Sequence, residues 1–391
     1  MTPTGTSARI VASSVEVADL LGALAGCSRV GMDMEASGMF AYRARPCTMQ
    51  LSWSDGADIA VVDALSVSLD ALGPLVAKTG PLKIVHDVAF DARLLAESGL
   101  ELGRVHDTAL AARMLGRTST GLASLLESIL GVKLSKEMQQ HDWRKRPLEG
   151  AALTYLASDV ASLERLDDAL WSEVVERGIE QEVAEETEYR LQSAIAASRT
   201  PQRGPAYLRV RGVDRLGTRE LAVLREIAEL REQEAERRDV PPHRVISSDA
   251  LLEIARRRPA TVQEIGRMRG APMSSAAGRA FVANVARAVA GAGSTVPEEE
   301  LASLQRPRVP SAIHRARRER EGRLLAWRRA EAVRRGVDEQ VVLPGHCVRD
   351  AVDCETEVVE QLAQIPGIGA FRVERSGEAI LRALRGDGAG T

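Results

Sequence analysis

The sequence predicts an α/β domain, a mixed sheet flanked by helices, over roughly residues 1–180, followed by two small all-α domains. Three observations lead there. Three consecutive strand-like runs between Arg29 and Ala64 give way to alternating strand and helix patterns. From residue 216 onward the pattern is almost entirely helical. Within that helical part the sequence repeats at an offset of 97 residues. A chain of 391 residues also exceeds what one hydrophobic core usually covers.

In order, Ala8–Ala12 reads as a short strand and Ser14–Ala25 as an amphipathic helix opened by a serine cap. Arg29–Glu35, Cys47–Ser54 and Asp58–Ala64 are strands, with connections short enough for antiparallel neighbours. Helix Leu69–Lys78, strand Lys83–His86, helix Val88–Ser98, strand Arg104–Asp107 and helix Thr108–Gly116 follow. Residues 121–131 form a further helix, and 150–177 a single long one.

Residues 181–215 read as a connector ending in the Pro/Gly/Arg-rich stretch Pro201–Pro205. The first helical domain covers 216–292, an Arg-rich linker 293–319, and the second helical domain 320–388. The repeat aligns Arg238-Asp239-Val240 with Arg335-Gly336-Val337, and Val245-Ile246 with Val342-Leu343. It also aligns Ile265, Met268 and Gly270 with Leu362, Ile365 and Gly367. A period this long means a duplicated domain and not a solenoid. Residues 306–335 hold 11 arginines against 3 acids. They form either a linker or a phosphate-contacting helix face.

Composition excludes several classes. No apolar run is long enough for a membrane span, and the N-terminus lacks the pattern of a secretory signal. Cys27, Cys47, Cys347 and Cys354 form no C-x-x-C pair, which argues against a disulfide framework or a zinc site and suits a reducing cytoplasm. The six histidines are scattered, so any metal is held mainly by carboxylates, which points to Mg²⁺ or Mn²⁺. Net charge divides unevenly: residues 1–199 carry 19 Lys+Arg against 28 Asp+Glu, the remainder 33 against 27. An acidic half suits cations and a basic half polyanions, although solvated helix faces give the same counts.

Three segments carry candidate chemistry. In Gly31-Met32-Asp33-Met34-Glu35 a strand would turn Val30, Met32 and Met34 into the core and both acids to the other face. Adjacent like charges are tolerated where a cation neutralises them, or where the strand end is simply exposed. In His86-Asp87-Val88-Ala89-Phe90-Asp91 a strand runs into a helix, with Phe90, Leu94 and Leu95 as its buried side. Asp91 would look toward a neighbouring strand; alternatively Asp87 caps this helix and Asp91 decorates its first turn. In Tyr155-Leu156-Ala157-Ser158-Asp159 the phenol and the carboxylate share a helix face. Leu156, Val160 and Leu163 form the adjacent core face. The Tyr–Asp pair is either a plain hydrogen bond or a device that places water.

In this order the segments D-x-E, F-D-x-x-x-L and Y-x-x-x-D resemble the three exonuclease motifs of the DEDD superfamily, in its Tyr-containing branch. Met49-Gln50-Leu51-Ser52, His106-Asp107-Thr108, Asp142-Trp143 and Arg146-Pro147-Leu148 make the stretch similar to ribonuclease D in particular. The tail repeat resembles the HRDC domain, clearly in the first copy, and in the divergent second copy best in Ile365-Pro-Gly-Ile-Gly369 and Glu374–Leu384. The resemblance implies a ribonuclease H-like exonuclease fold. It further implies a metal-dependent 3′→5′ exoribonuclease that releases nucleoside 5′-monophosphates and trims transfer RNA precursors or other small structured RNAs. Two divalent ions, Mg²⁺ or Mn²⁺, would be held by Asp33, Glu35, Asp91 and Asp159, with Tyr155 orienting the attacking water. The partner would be RNA with a single-stranded 3′ end, with no membrane and no obligate protein partner. The alternatives are a DNA-directed 3′→5′ exonuclease in repair and a non-catalytic adaptor. The adaptor would be marked by a missing motif acid, and none is missing. Four Phe, four Tyr and four Trp leave few stacking platforms, so base-specific readout is not expected.

Overall fold

The computed structural model describes residues 8–135, 137–199, 204–304, 310–354 and 358–386. Pro201–Arg203 of the expected connector, Arg306 and Arg308 of the Arg-rich stretch, and the last residues of the expected second helical domain lie outside these. The chain forms two compact units.

The first unit is built on a six-stranded sheet of β1 (Arg9–Val11), β2 (Arg29–Ala36), β3 (Pro46–Trp53), β4 (Asp58–Asp63), β5 (Leu82–Val85) and β6 (Val105–Asp107), in the order β1-β4-β3-β2-β5-β6. β3 and β4 run antiparallel, with Leu51 opposite Ala60. β1 and β4, β2 and β5, and β5 and β6 pair in parallel. The sheet is therefore mixed, as the pattern predicted. Period-two alternation accounts for β2: Val30, Met32 and Met34 are all but fully buried.

Helices α1 (Ser14–Leu24), α2 (Gly73–Val76), α3 (Val88–Glu97), α4 (Thr108–Met114), α5 (Leu122–Leu125), α6 (Gly150–Val160), α7 (Leu163–Glu176) and α8 (Glu180–Arg199) belong to the same unit. Ser13 caps α1 by accepting from Glu16 N–H. The expected helix over 121–131 is α5 followed by one wide π turn, Leu126–Leu130. Two expectations need correction. The long helix over 150–177 is two helices, α6 and α7. The break is imposed from the β3–β4 turn: Ser52 Oγ donates to Val160 C=O at 2.9 Å, and a Cβ on Gly56 would stand 1.9 Å from Ala161 O. The supposed connector is helical from Glu180 to Arg199, and Val183, Thr187 and Leu191 are buried on it.

This unit also contains the second helical domain: α15 (Ser311–Arg335), α16 (Glu339–Val342), α17 (Gly345–Asp353), α18 (Val359–Leu362) and α19 (Ala370–Arg385). It docks on α8. Fully buried Glu182 pairs with Arg335 and Arg375, and Arg372 donates to Glu182 C=O at 2.9 Å. Phe371 N–H donates to Glu185 at 2.8 Å, and His346 stacks on Tyr189 with centroids 4.0 Å apart. The Arg-rich stretch is largely helix, and many of its arginines are structural. Arg317 reaches Asp353, Arg320 the carbonyl of Cys354, Arg323 those of Ala383 and Leu384, and Arg328 that of Glu339.

The second unit holds the loop 36–45 and the first helical domain: α9 (Thr218–Arg238), α10 (Pro242–Val245), α11 (Ser248–Arg257), α12 (Val262–Gly266), α13 (Ala276–Gly291) and α14 (Glu298–Leu304). Its core extends upstream of residue 216, because Tyr207 is fully buried and its hydroxyl donates to Glu300 at 2.9 Å. In the loop, Tyr42 N–H donates to Asp239 at 3.1 Å and Arg244 lies 4.9 Å over the Phe40 ring. The repeat is real in backbone terms. Asp239 and Gly336 end α9 and α15 in the left-handed region, and Gly270 and Gly367 both turn there at φ 84° and 87°.

Candidate metal-dependent nuclease site

Asp33 and Glu35 project from the face of β2 opposite its buried methionines. Gly31 precedes them on that face, where a Cβ would stand 2.4 Å from Ser52 Oγ and 3.2 Å from Leu163 Cβ. The missing side chain lets the α6–α7 break close against β2. Asp159, in the last turn of α6, is thereby brought to the strand acids. One carboxylate oxygen from each of Asp33, Glu35 and Asp159 lies within 4.8 Å of the others.

Asp91 belongs to the same neighbourhood without being in that tight group. It is 2% exposed on α3, and its charge acts on those of Asp33 and Glu35. Its Oδ2 has no hydrogen-bond partner among the described residues. Tyr155 is half-buried one turn before Asp159 on α6, and the two groups act on each other's charge. The structure thus groups Asp33, Glu35 and Asp159 tightly, and places Asp91 and Tyr155 near enough for the Asp33 charge to act on both.

The carboxylates of this group raise one another's affinity for protons. Burial pushes the Glu35 carboxyl up to about 8, with repulsion from Asp33 and Asp159 adding to it. Burial also raises Asp159 to about 8, with a contribution from Asp33. Asp33 is raised chiefly by burial, and Asp91 by burial and then by Asp33. Burial, then Asp159, Glu35 and Asp33, raise the Tyr155 phenol, so it keeps its proton. Hard oxygen donors that repel one another, with an unused carboxylate oxygen beside them, fit divalent cations such as Mg²⁺ or Mn²⁺.

Two residues around the site were quoted in the sequence motifs but given no role there. Trp143, 2% exposed, lies beside Glu35 and favours its charged form, and it tilts against Tyr155 with centroids 5.7 Å apart. Its position in Asp142-Trp143 was visible as a motif, but nothing in the sequence linked it to β2. Arg146 fixes the loop that carries Trp143, reaching Asp63 at 2.7 Å and Cys47 C=O at 2.9 Å. One expectation about the α3 segment fails: Phe90 is 51% exposed, and the buried face consists of Val88, Asp91, Ala92, Leu94 and Leu95. A helix repeat of 3.6 places Val88, Asp91, Ala92 and Leu95 on one stripe and leaves Phe90 off it.

A family model described as 3′-5′ exonuclease matches residues 8–175, and one described as HRDC domain matches 220–278 and 318–384. Ribonuclease D of Acidiphilium cryptum is 27% identical over 381 residues, covering 94% of this chain and 92% of the relative. Ribonuclease D of Granulibacter bethesdensis is 29% identical, covering 78% of this chain and 76% of its own. The chain thus resembles ribonuclease D along most of its length. Solved structures agree on the fold. Escherichia coli RNase D, described as an exoribonuclease involved in structured RNA processing, superposes with a TM-score of 0.68 at 20% identity, over 97% of this chain and 99% of that one. A protein from Bifidobacterium adolescentis gives 0.80 at 21% identity, with 98% of each chain covered. The matched segments, one exonuclease domain followed by two HRDC domains as in ribonuclease D, lie in order between residues 8 and 384.

Proposed function

We propose that this protein is a metal-dependent 3′→5′ exoribonuclease that shortens RNA from a single-stranded 3′ end and releases nucleoside 5′-monophosphates. The observation that carries the reading is the gathering of Asp33, Glu35 and Asp159 within 4.8 Å, with Tyr155 on Asp159 and Asp91 beside them. Asp33, Glu35, Asp91 and Asp159 would hold two divalent ions. Bound there, such ions supply Lewis acidity and charge neutralisation at the scissile phosphate.

The chain's own groups divide the remaining work. Trp143, beside Glu35, favours the charged carboxylate that would hold an ion. Tyr155 remains a phenol at neutral pH, so it orients the attacking water and does not abstract its proton. Phe90 stands exposed on the turn of α3 that carries Asp91, and offers a flat face for the terminal base. Among the described residues no helix is long and apolar enough to cross a membrane, and a cytoplasmic RNA is the substrate proposed. Trimming of transfer RNA precursors follows the family's usual substrate.

The test is a gel time course with a 5′-labelled RNA bearing a single-stranded 3′ tail, run with Mg²⁺, with Mn²⁺ and with EDTA, beside a matched DNA. Stepwise shortening of RNA that stops in EDTA is expected. An intact RNA band in all conditions, with RNA binding retained, would point to an adaptor. Preferential digestion of the DNA would move the substrate class.

A further inference from the structure

We propose that Asp107 is a positioning residue of this centre: its carboxylate fixes the first turn of α3 and so sets where Asp91 stands. The inference rests on reading the acidic cluster as the catalytic centre.

Asp107 ends β6, is 2% exposed, and accepts four backbone N–H groups from the starts of two helices. Its Oδ1 takes Ala109 N at 2.9 Å and Leu110 N at 3.1 Å, the ordinary cap of α4. The same oxygen takes Asp87 N at 3.1 Å, and Oδ2 takes Val88 N at 3.1 Å, both at the start of α3. The residue in the cap position of α3 cannot do this itself. Asp87 stands in the left-handed region at φ 69° and makes no side-chain cap. Helix α3 therefore borrows its cap from a neighbouring strand.

That cap bears directly on Asp91. Val88 and Asp91 lie three residues apart on one face, 0% and 2% exposed. Asp91 Oδ2 has no hydrogen-bond partner among the described residues, so the helix backbone, and not a side-chain contact to that oxygen, aims it. The choice of an acid at position 107 also needs a reason, since it adds a buried negative charge near a crowded acidic cluster. Serine or asparagine would serve α4 alone. Two acceptor oxygens with no donor are needed to take N–H groups from two helix starts at once.

Two full-length variants separate the roles. Asp107→Asn keeps an oxygen for α4 but presents an NH₂ toward the N–H of Val88. Asp107→Ser keeps a good cap for α4 and is too short to reach α3. Both should unfold cooperatively and show the parent's far-ultraviolet circular dichroism. Mn²⁺ affinity, read by the electron paramagnetic resonance of free Mn²⁺, should fall by about tenfold or more. Hydrolysis should drop at low Mn²⁺ and recover at high Mn²⁺, with KM for RNA changed by less than about twofold, a rescue that simple misfolding does not give. Folded variants that bind Mn²⁺ as the parent does would overturn the proposal. So would two variants that do not fold, since Asp107 would then be a folding residue. A parent that neither binds Mn²⁺ nor cuts RNA would instead sink the catalytic reading itself.

Discussion

Asp33, Glu35, Asp91 and Asp159 make the cation-free protein least comfortable when they are charged. Their carboxyls are raised in the folded chain, Glu35 and Asp159 to about 8, against about 4 in an unfolded chain. Between those values the folded state holds more protons than the unfolded state, so stability must fall as pH rises. In EDTA the Tm should decline from pH 5 to pH 8.5, and saturating Mn²⁺ should flatten that slope. A slope indifferent to Mn²⁺ would show that the acids do not share a cation. Substitution separates their roles from that of the phenol. Asp33→Ala, Asp91→Ala or Asp159→Ala should nearly abolish hydrolysis in the labelled-RNA assay without unfolding the domain. Tyr155→Phe should lower kcat by about 10²-fold, as loss of a group that assists at the reacting water does, and leave RNA binding intact. Near-parental rates in any of the three alanine variants would remove that acid from the centre.

The elements show what the sequence can reveal and where it stops. β2 was legible because burial of Val30, Met32 and Met34 forces Asp33 and Glu35 to the other face. The duplicated helical domain was legible because a left-handed C-cap and a glycine turn recur at the same offset. The α6–α7 break was hidden, because nothing local to residues 150–177 ends a helix there. Its cause, the turn at Gly56, lies about a hundred residues away. Helix α8 was hidden for a related reason: its glutamates look like a solvated connector until the arginines of the second helical domain are brought to them. The double cap by Asp107 is invisible for the same cause, since only the sheet places β6 beside the start of α3. The break can be tested directly. Gly56 stands at φ 82°, and any Cβ there would strike Ala161 C=O. Gly56→Ala should therefore destabilise the protein by about 2 kcal/mol or more. It should also cut hydrolysis, because the displaced junction carries Asp159. Unchanged stability and rate would mean that the turn does not hold the junction.

The acidic and basic halves of the chain meet within the protein before they meet any RNA. Glu182 is fully buried, and it is held by Arg335, itself nearly buried, and by Arg375 from the second helical domain. Much of the arginine excess that looked like a phosphate-binding face is spent on such contacts and on helix-end carbonyls. A buried ion pair is weak evidence of net stability, yet removing one partner is costly because it strands the other charge. Glu182→Ala should therefore cost about 3–5 kcal/mol of docking free energy, enough to let protease reach the linkage between α8 and the second helical domain. Replacing Glu182 and Arg335 together by apolar residues should recover much of that loss. The double-mutant cycle, read from thermal unfolding, should give a coupling above about 1 kcal/mol. Additive losses would mean that Arg335 and Glu182 do not act as a pair. In that case Arg372, which reaches the Glu182 carbonyl and the Glu185 carboxylate, would carry the docking instead.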